Sequence, residues 1–152
     1  MAMDNNADLF DWTVRNAVYA SILERSVPPS VDETAAALGV NAGDVRVAYE
    51  RLNDRHALFL TPGSHEVRMA HPFSGVPTAF RVEAGDHTYW ENCAWDSLGI
   101  PAALHADARI EAAVEDGGLI RFAIEAGRVR GRDGVVHFPL PFRRWYDDLI
   151  ET

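Results

Sequence analysis

The stretch HTYWENCAWDSLGIP, His87 to Pro101, decides how the second half of this chain is read. On either side of it the sequence runs in short, broadly alternating segments. Within it, small and apolar residues follow one another at a spacing that predicts a helix. A helix set into a series of strand-like segments makes the lobe α+β, with a small and largely antiparallel sheet. The same stretch holds the only cysteine of the chain, Cys93, with the carboxylate of Asp96 three residues on. In a helix those two positions share a face, so both side chains reach one ligand. Backbone N–H groups at a helix start favour a thiolate, and a nearby carboxylate opposes it. An apolar pocket built by Trp90 and Trp95 would hold that carboxyl group in its protonated form. A thiolate beside a proton donor suits a soft metal or an electrophilic carbon. A free cysteine that simply fills the core stands as the alternative, since free cysteine is among the most buried residue types.

Downstream of this stretch, ARIEAAVE, GLIRFAIE, RVRG and GVVHFPL read as short strands separated by Gly and Asp, and AFRV precedes it. The end, PFRRWYDDLIET, is expected as a helical turn or two, or as an extended tail. Upstream, HPFSGVPTAF (His71–Phe80) is rich in Pro and Gly and reads as a connection between lobes. The expected division is therefore residues 1–70 and residues 71–152.

The first lobe starts with Phe10, Val14, Ala17, Val18 and Ile22 at helical spacing, and Val27-Pro28-Pro29 ends that helix. Ser30 and Glu33 have the spacing of a capping box, and Gly39 is a stop signal for the helix they open. Asn41 is the expected N-cap of a third helix, with Val45, Ala48, Tyr49 and Leu52 on one face. HALFLTPGSHEVRMA then reads as two strands around a turn at Pro62-Gly63. Three helices followed by a hairpin is the pattern of a winged helix-turn-helix lobe.

Charge weighs against the nucleic-acid function that such a lobe often serves. The 152 residues carry 14 Lys and Arg, none of them lysine, against 23 Asp and Glu, for a net charge of −9. A phosphate backbone is bound by clustered cations. On the third helix Arg46, Arg51 and Arg55 are matched by Asp44, Glu50 and Asp54, so nucleic acid is disfavoured as a partner. The six histidines are dispersed, without the close spacing of a structural zinc site. No run approaches the roughly 18 apolar residues of a membrane span. One cysteine cannot build a disulfide framework, and the acidic N-terminus does not read as an export signal, so a cytoplasmic protein is expected. No Gly-rich phosphate loop, G-x-S-x-G or H-E-x-x-H motif is present.

HPFSGVPTAFRV, YWENCAWDSLGIPAAL and VVHFPLPFRRWYDD, taken together, resemble the alkylmercury lyase (organomercurial lyase) family from about His71 to Asp148. The preceding helical region is similar to the N-terminal domain of that family. The resemblance implies protonolysis of a carbon–mercury bond, releasing Hg(II) and a hydrocarbon, with no separate cofactor. It implies that Cys93 attacks and holds mercury as a thiolate, and that Asp96 helps to move a proton to the leaving carbon. The family uses a second catalytic cysteine, and this chain has none. A non-catalytic module of the same fold that binds a soft metal or an organic ligand through Cys93 and Asp96 is the alternative. A metal-responsive DNA-binding regulator comes behind both, on the charge argument.

Overall fold

The computed structural model describes residues 5–114, 117–131, 134–138 and 140–145. The chain forms two compact units, Met1–His71 and Pro72–Thr152. The first is mostly helical and the second is built on an antiparallel sheet, so the class is α+β.

In the first unit, α1 (Asn5–Arg25), α2 (Val31–Leu38) and α3 (Ala42–Asp54) precede a two-stranded antiparallel ribbon, β1 (Phe59–Leu60) and β2 (Val67–Ala70). Their limits follow from local chemistry. α1 ends at Arg25, Ser26 turns left-handed at φ 62°, and Pro28 and Pro29 keep the helix from resuming. The Ser30 hydroxyl accepts from the Glu33 N–H while Glu33 accepts from the Ser30 N–H, a complete capping box. Gly39 closes α2 at φ 66°, a left-handed conformation that glycine adopts without steric cost. Asn41 caps α3 by accepting from the Gly43 N–H.

Val14, Val18, Ile22, Val45, Ala48, Tyr49 and Leu52 are buried between these helices. One charged network joins α1 to α3 through that core. Asp11 is fully buried on α1 and receives both Nε and a terminal nitrogen of Arg51 from α3. Arg55 adds a 2.7 Å ion pair to Asp8. A buried carboxylate held by a two-pronged guanidinium is a geometry that offsets its loss of water.

In the second unit the strands are β3 (Phe73–Ser74), β4 (Phe80–Ala84), β5 (His87–Glu91), β6 (Ala108–Ala113), β7 (Leu119–Glu125) and β8 (Arg128–Gly131). They lie side by side in the order β3-β5-β4-β6-β7-β8. Helix α4 (Asp96–Leu104) connects β5 to β6 and packs over β4 and β6. Phe142–Arg144 forms one 3-10 turn.

Strand alternation sorts this sheet into two faces. Val82 pairs with Tyr89 on one side and Ile110 on the other, and Ile110 pairs with Phe122. These residues make the apolar face, with Ile100 of α4 buried as well. Arg81, Glu83, Arg109, Glu111 and Arg121 occupy the other face and exchange ion pairs across the strands.

Two expectations need correction here. Cys93 does not lie on a helix. Trp90 and Glu91 are already committed to β5, where they pair with Arg81 and Phe80, so the helix cannot begin before the turn that follows. It starts at Asp96, and Cys93 sits in the connecting turn. Val135 to Phe138 of GVVHFPL, expected as a strand, belong to no strand. For PFRRWYDDLIET, the single turn agrees with the expectation, and residues 146–152 lie outside the described residues.

Candidate functional site

The site is a strand end, a tight turn and a helix start. β5 delivers Glu91 to the apolar face of the sheet, residues 92–95 reverse the chain, and Asp96 opens α4. The Asp96 N–H donates to the Cys93 carbonyl at 3.1 Å, and the Leu98 N–H donates to the Trp95 carbonyl at 3.1 Å. No side chain caps this helix, so its first N–H groups remain directed toward the turn that holds the cysteine.

The Cys93 thiol is half-buried and donates to Oδ2 of Asp96 at 3.5 Å. The structure therefore brings Cys93 and Asp96 together, through a turn rather than a shared helical face. Burial pushes the thiol pKa up from its ordinary value. The N–H groups of Asp96 and Trp95 pull it down, and the Asp96 carboxylate raises it again. The protonated thiol is thus the resting form, and its proton already points at a carboxylate oxygen.

Sequence reading missed Glu91. Its side chain is 0% exposed, and neither carboxyl oxygen has a hydrogen-bond partner. Ser97, the second residue of α4, is also 0% exposed with its hydroxyl unpartnered. Burial pushes the Glu91 carboxyl up to about 8, with Asp96 adding a like-charge contribution. Ser97 lies close enough to favour the ionised form slightly, but it makes no bond of good geometry to the carboxyl, and burial wins. A signal for this was present in the alternation of β5, where Glu91 is in step with Tyr89.

The two tryptophans do not form the expected pocket around the thiol. Trp90 pairs with Arg81 and Ser74 and faces away from Glu91. Trp95 is 55% exposed, with its ring 6.1 Å from that of Phe138, which in turn stacks on Trp145 at 5.2 Å. These three rings leave an apolar surface next to the Cys93 turn. Among the described residues, no group of three or more His, Cys, Asp or Glu side chains converges to hold a metal ion.

The family model for alkylmercury lyase, MerB, matches residues 73–150. The chain belongs to the alkylmercury lyase family. The match takes in β3 to β8, α4 and the Cys93 turn, which is the whole of the site just described. The alkylmercury lyase fold is also seen by superposition. A crystal structure described as the mercury-bound form of MerB2 aligns with a TM-score of 0.66 at 20% identity. That alignment covers 80% of this chain and 58% of the other, so this chain spans less than two thirds of the length of MerB2. No curated protein matches the chain in sequence. No described helix is long and apolar enough to cross a membrane.

Proposed function

We propose that this protein cleaves carbon–mercury bonds by protonolysis, with Cys93 as the mercury ligand and Asp96 as the proton carrier. The single observation that carries this reading is the thiol-to-carboxylate contact of 3.5 Å at an uncapped helix start, within the region that matches the family model. Mercury is soft and thiophilic, so a thiolate is its natural ligand, and a carbanionic leaving group needs an acid within hydrogen-bond reach.

The steps balance within this pair. The Cys93 proton passes to Asp96, and the thiolate forms a sulfur–mercury bond with the organomercurial. The carbon–mercury bond then breaks, its electron pair stays with carbon, and Asp96 returns the proton to that carbon. A hydrocarbon leaves, and Hg(II) remains on the Cys93 sulfur with the counter-ligand it brought. Asp96 ends as the carboxylate it was at the start. The N–H groups of Asp96 and Trp95 favour the thiolate while the proton is in transit. The single cysteine makes an external thiol the natural second ligand for Hg(II), and the reading of these two residues as the site rests on the resemblance together with this geometry.

The alternative, a module that binds Hg(II) or another soft metal without cleavage, draws on the same lone cysteine. One experiment separates the two. The protein is incubated with an organomercurial and excess thiol, and both released hydrocarbon and protein-bound mercury are measured. The lyase reading expects hydrocarbon release that Cys93→Ala abolishes. Stoichiometric mercury retention without hydrocarbon would identify the binding module instead, and retention that survives Cys93→Ala would remove this site altogether.

We read residues 1–70 as winged-helix-like, from three helices and a ribbon in that order, and the remainder as the lyase-like domain of a cytoplasmic protein. A regulatory, DNA-binding role fits this first unit poorly. Arg51 of α3 and Arg55, which follows its last turn, are spent on Asp11 and Asp8 rather than held out for phosphates.

A further inference from the structure

The polar face of the sheet, which the lyase reading does not use, carries a local excess of cations. A depression of about 410 Å³ there is bordered by Arg81, Arg109, Arg121 and Arg130, with Glu83 and Glu111 as the carboxylates. Four guanidinium groups against two carboxylates is a positive surface on a chain whose net charge is −9.

The strand register explains its shape. Ala123 of β7 lies directly opposite Arg109 of β6 and Arg130 of β8, and Arg121 is two residues away on the same strand and face. Three long cationic side chains therefore surround one small residue, which forms the floor. The carboxylates are already engaged elsewhere: Glu111 takes Arg121 at 2.6 Å and Arg81 at 3.7 Å, and Glu83 takes Arg81 at 2.5 Å. Arg130 has only a loose 3.8 Å contact with Glu125, both side chains being more than half exposed. Arg109 makes no hydrogen bond or ion pair among the described residues. On its far side Arg109 borders a second depression, lined by Glu83, Asp86, Asp107 and Glu125. An anion is repelled from that acidic side, which Ala123 also borders, and is drawn toward Arg121 and Arg130.

We propose that this depression binds a phosphate group. The forks of Arg109 and Arg130, with Arg121 beside them on Glu111, border one depression and suit a tetrahedral dianion, whose peripheral oxygens meet separate forks. A planar monocarboxylate engages one fork and leaves the others unanswered. The site lies on the face of the sheet opposite the buried Glu91 corner, so its ligand is distinct from the organomercurial.

Titration of the full chain with inorganic phosphate, followed by calorimetry at constant ionic strength, tests this, with acetate as the carboxylate control. The expected result is saturable phosphate binding and acetate binding at least about tenfold weaker. Arg109→Gln should weaken phosphate binding about tenfold, and Ala123→Glu, which places a carboxylate on the floor, should abolish it. Both positions are on the solvent-facing side of the sheet, and a thermal melt verifies that each variant is folded. Absence of saturation at about 10 mM phosphate, equal binding of acetate, or binding unchanged in both folded variants would overturn the proposal.

Discussion

At the scale of the residue, the thiol of Cys93 is held back by its surroundings and released by its partner. Burial and the Asp96 carboxylate favour the thiol, while two backbone N–H groups favour the thiolate. The consequence is a sulfur that is slow toward ordinary electrophiles at neutral pH and gains nucleophilicity when its proton is drawn onto Asp96. Removing the carboxylate charge takes away one contribution that raises the thiol pKa and leaves the N–H contributions in place. Asp96→Asn should therefore be alkylated by iodoacetamide several-fold faster at neutral pH, with the pH-rate curve displaced toward acid. The same variant should release less hydrocarbon from an organomercurial, because the amide cannot carry the proton to carbon. A variant alkylated more slowly than wild type would mean that proton transfer to Asp96 outweighs its opposing charge even before an organomercurial binds. The pair itself was legible from the C-x-x-D spacing, although its geometry was not. Helical periodicity predicted a shared face, and strand pairing of Trp90 and Glu91 moved the cysteine into a turn.

At the scale of the element, the helical unit is where local chemistry and final structure agree most closely. The caps at Ser30, Gly39 and Asn41 need only a few neighbouring residues to form, so they are readable without knowledge of the fold. The Arg25 guanidinium first, and then the Ser30 N–H and hydroxyl of the capping box, hold the Glu33 carboxyl down to about 2. Ser30→Ala should cost about 1 kcal/mol in chemical denaturation, the typical loss for an N-cap hydroxyl, with the slope against denaturant unchanged. A loss well under half that amount would show that Glu33 and Arg25 hold the helix start without the hydroxyl. Less was readable in the sheet. β5 was hidden because His87–Glu91 adjoins a helix and contains mixed polar and aromatic residues, and only its pairing with β4 defines it. Glu91 was passed over for the same reason. A glutamate inside a polar-looking run reads as solvent-facing until the register places it opposite Phe80 on the covered face.

For the whole molecule, a fully buried carboxyl without a partner links folding stability to pH in a direction opposite to that of ordinary ion pairs. The folded-state pKa of Glu91 is raised to about 8, against 4.5 for a free glutamate. Below the free value both states hold the proton and nothing is lost. Between the two values the unfolded chain ionises while the native one keeps its proton, so native stability falls as pH rises. Above the folded value the penalty is complete, on the order of a few kcal/mol. Glu33 and Glu111 work the other way, since their arginine partners lower their pKa values. Their stabilising contributions are complete above the ordinary carboxylate range and are lost as pH falls through the lowered folded-state values, about 2 for Glu33. Glu91 thus favours the native state at acid pH, while Glu33 and Glu111 favour it above the carboxylate range. Glu91→Gln keeps the size of the side chain and removes the titration, so its thermal midpoint should exceed that of wild type at about pH 8 and the two should converge near pH 5. Parallel midpoint curves across that range would mean that Glu91 is ionised and compensated in the native protein. The neutral corner beside Cys93 and Asp96 would then have to be redrawn as a charged one, and the proton inventory of the site with it.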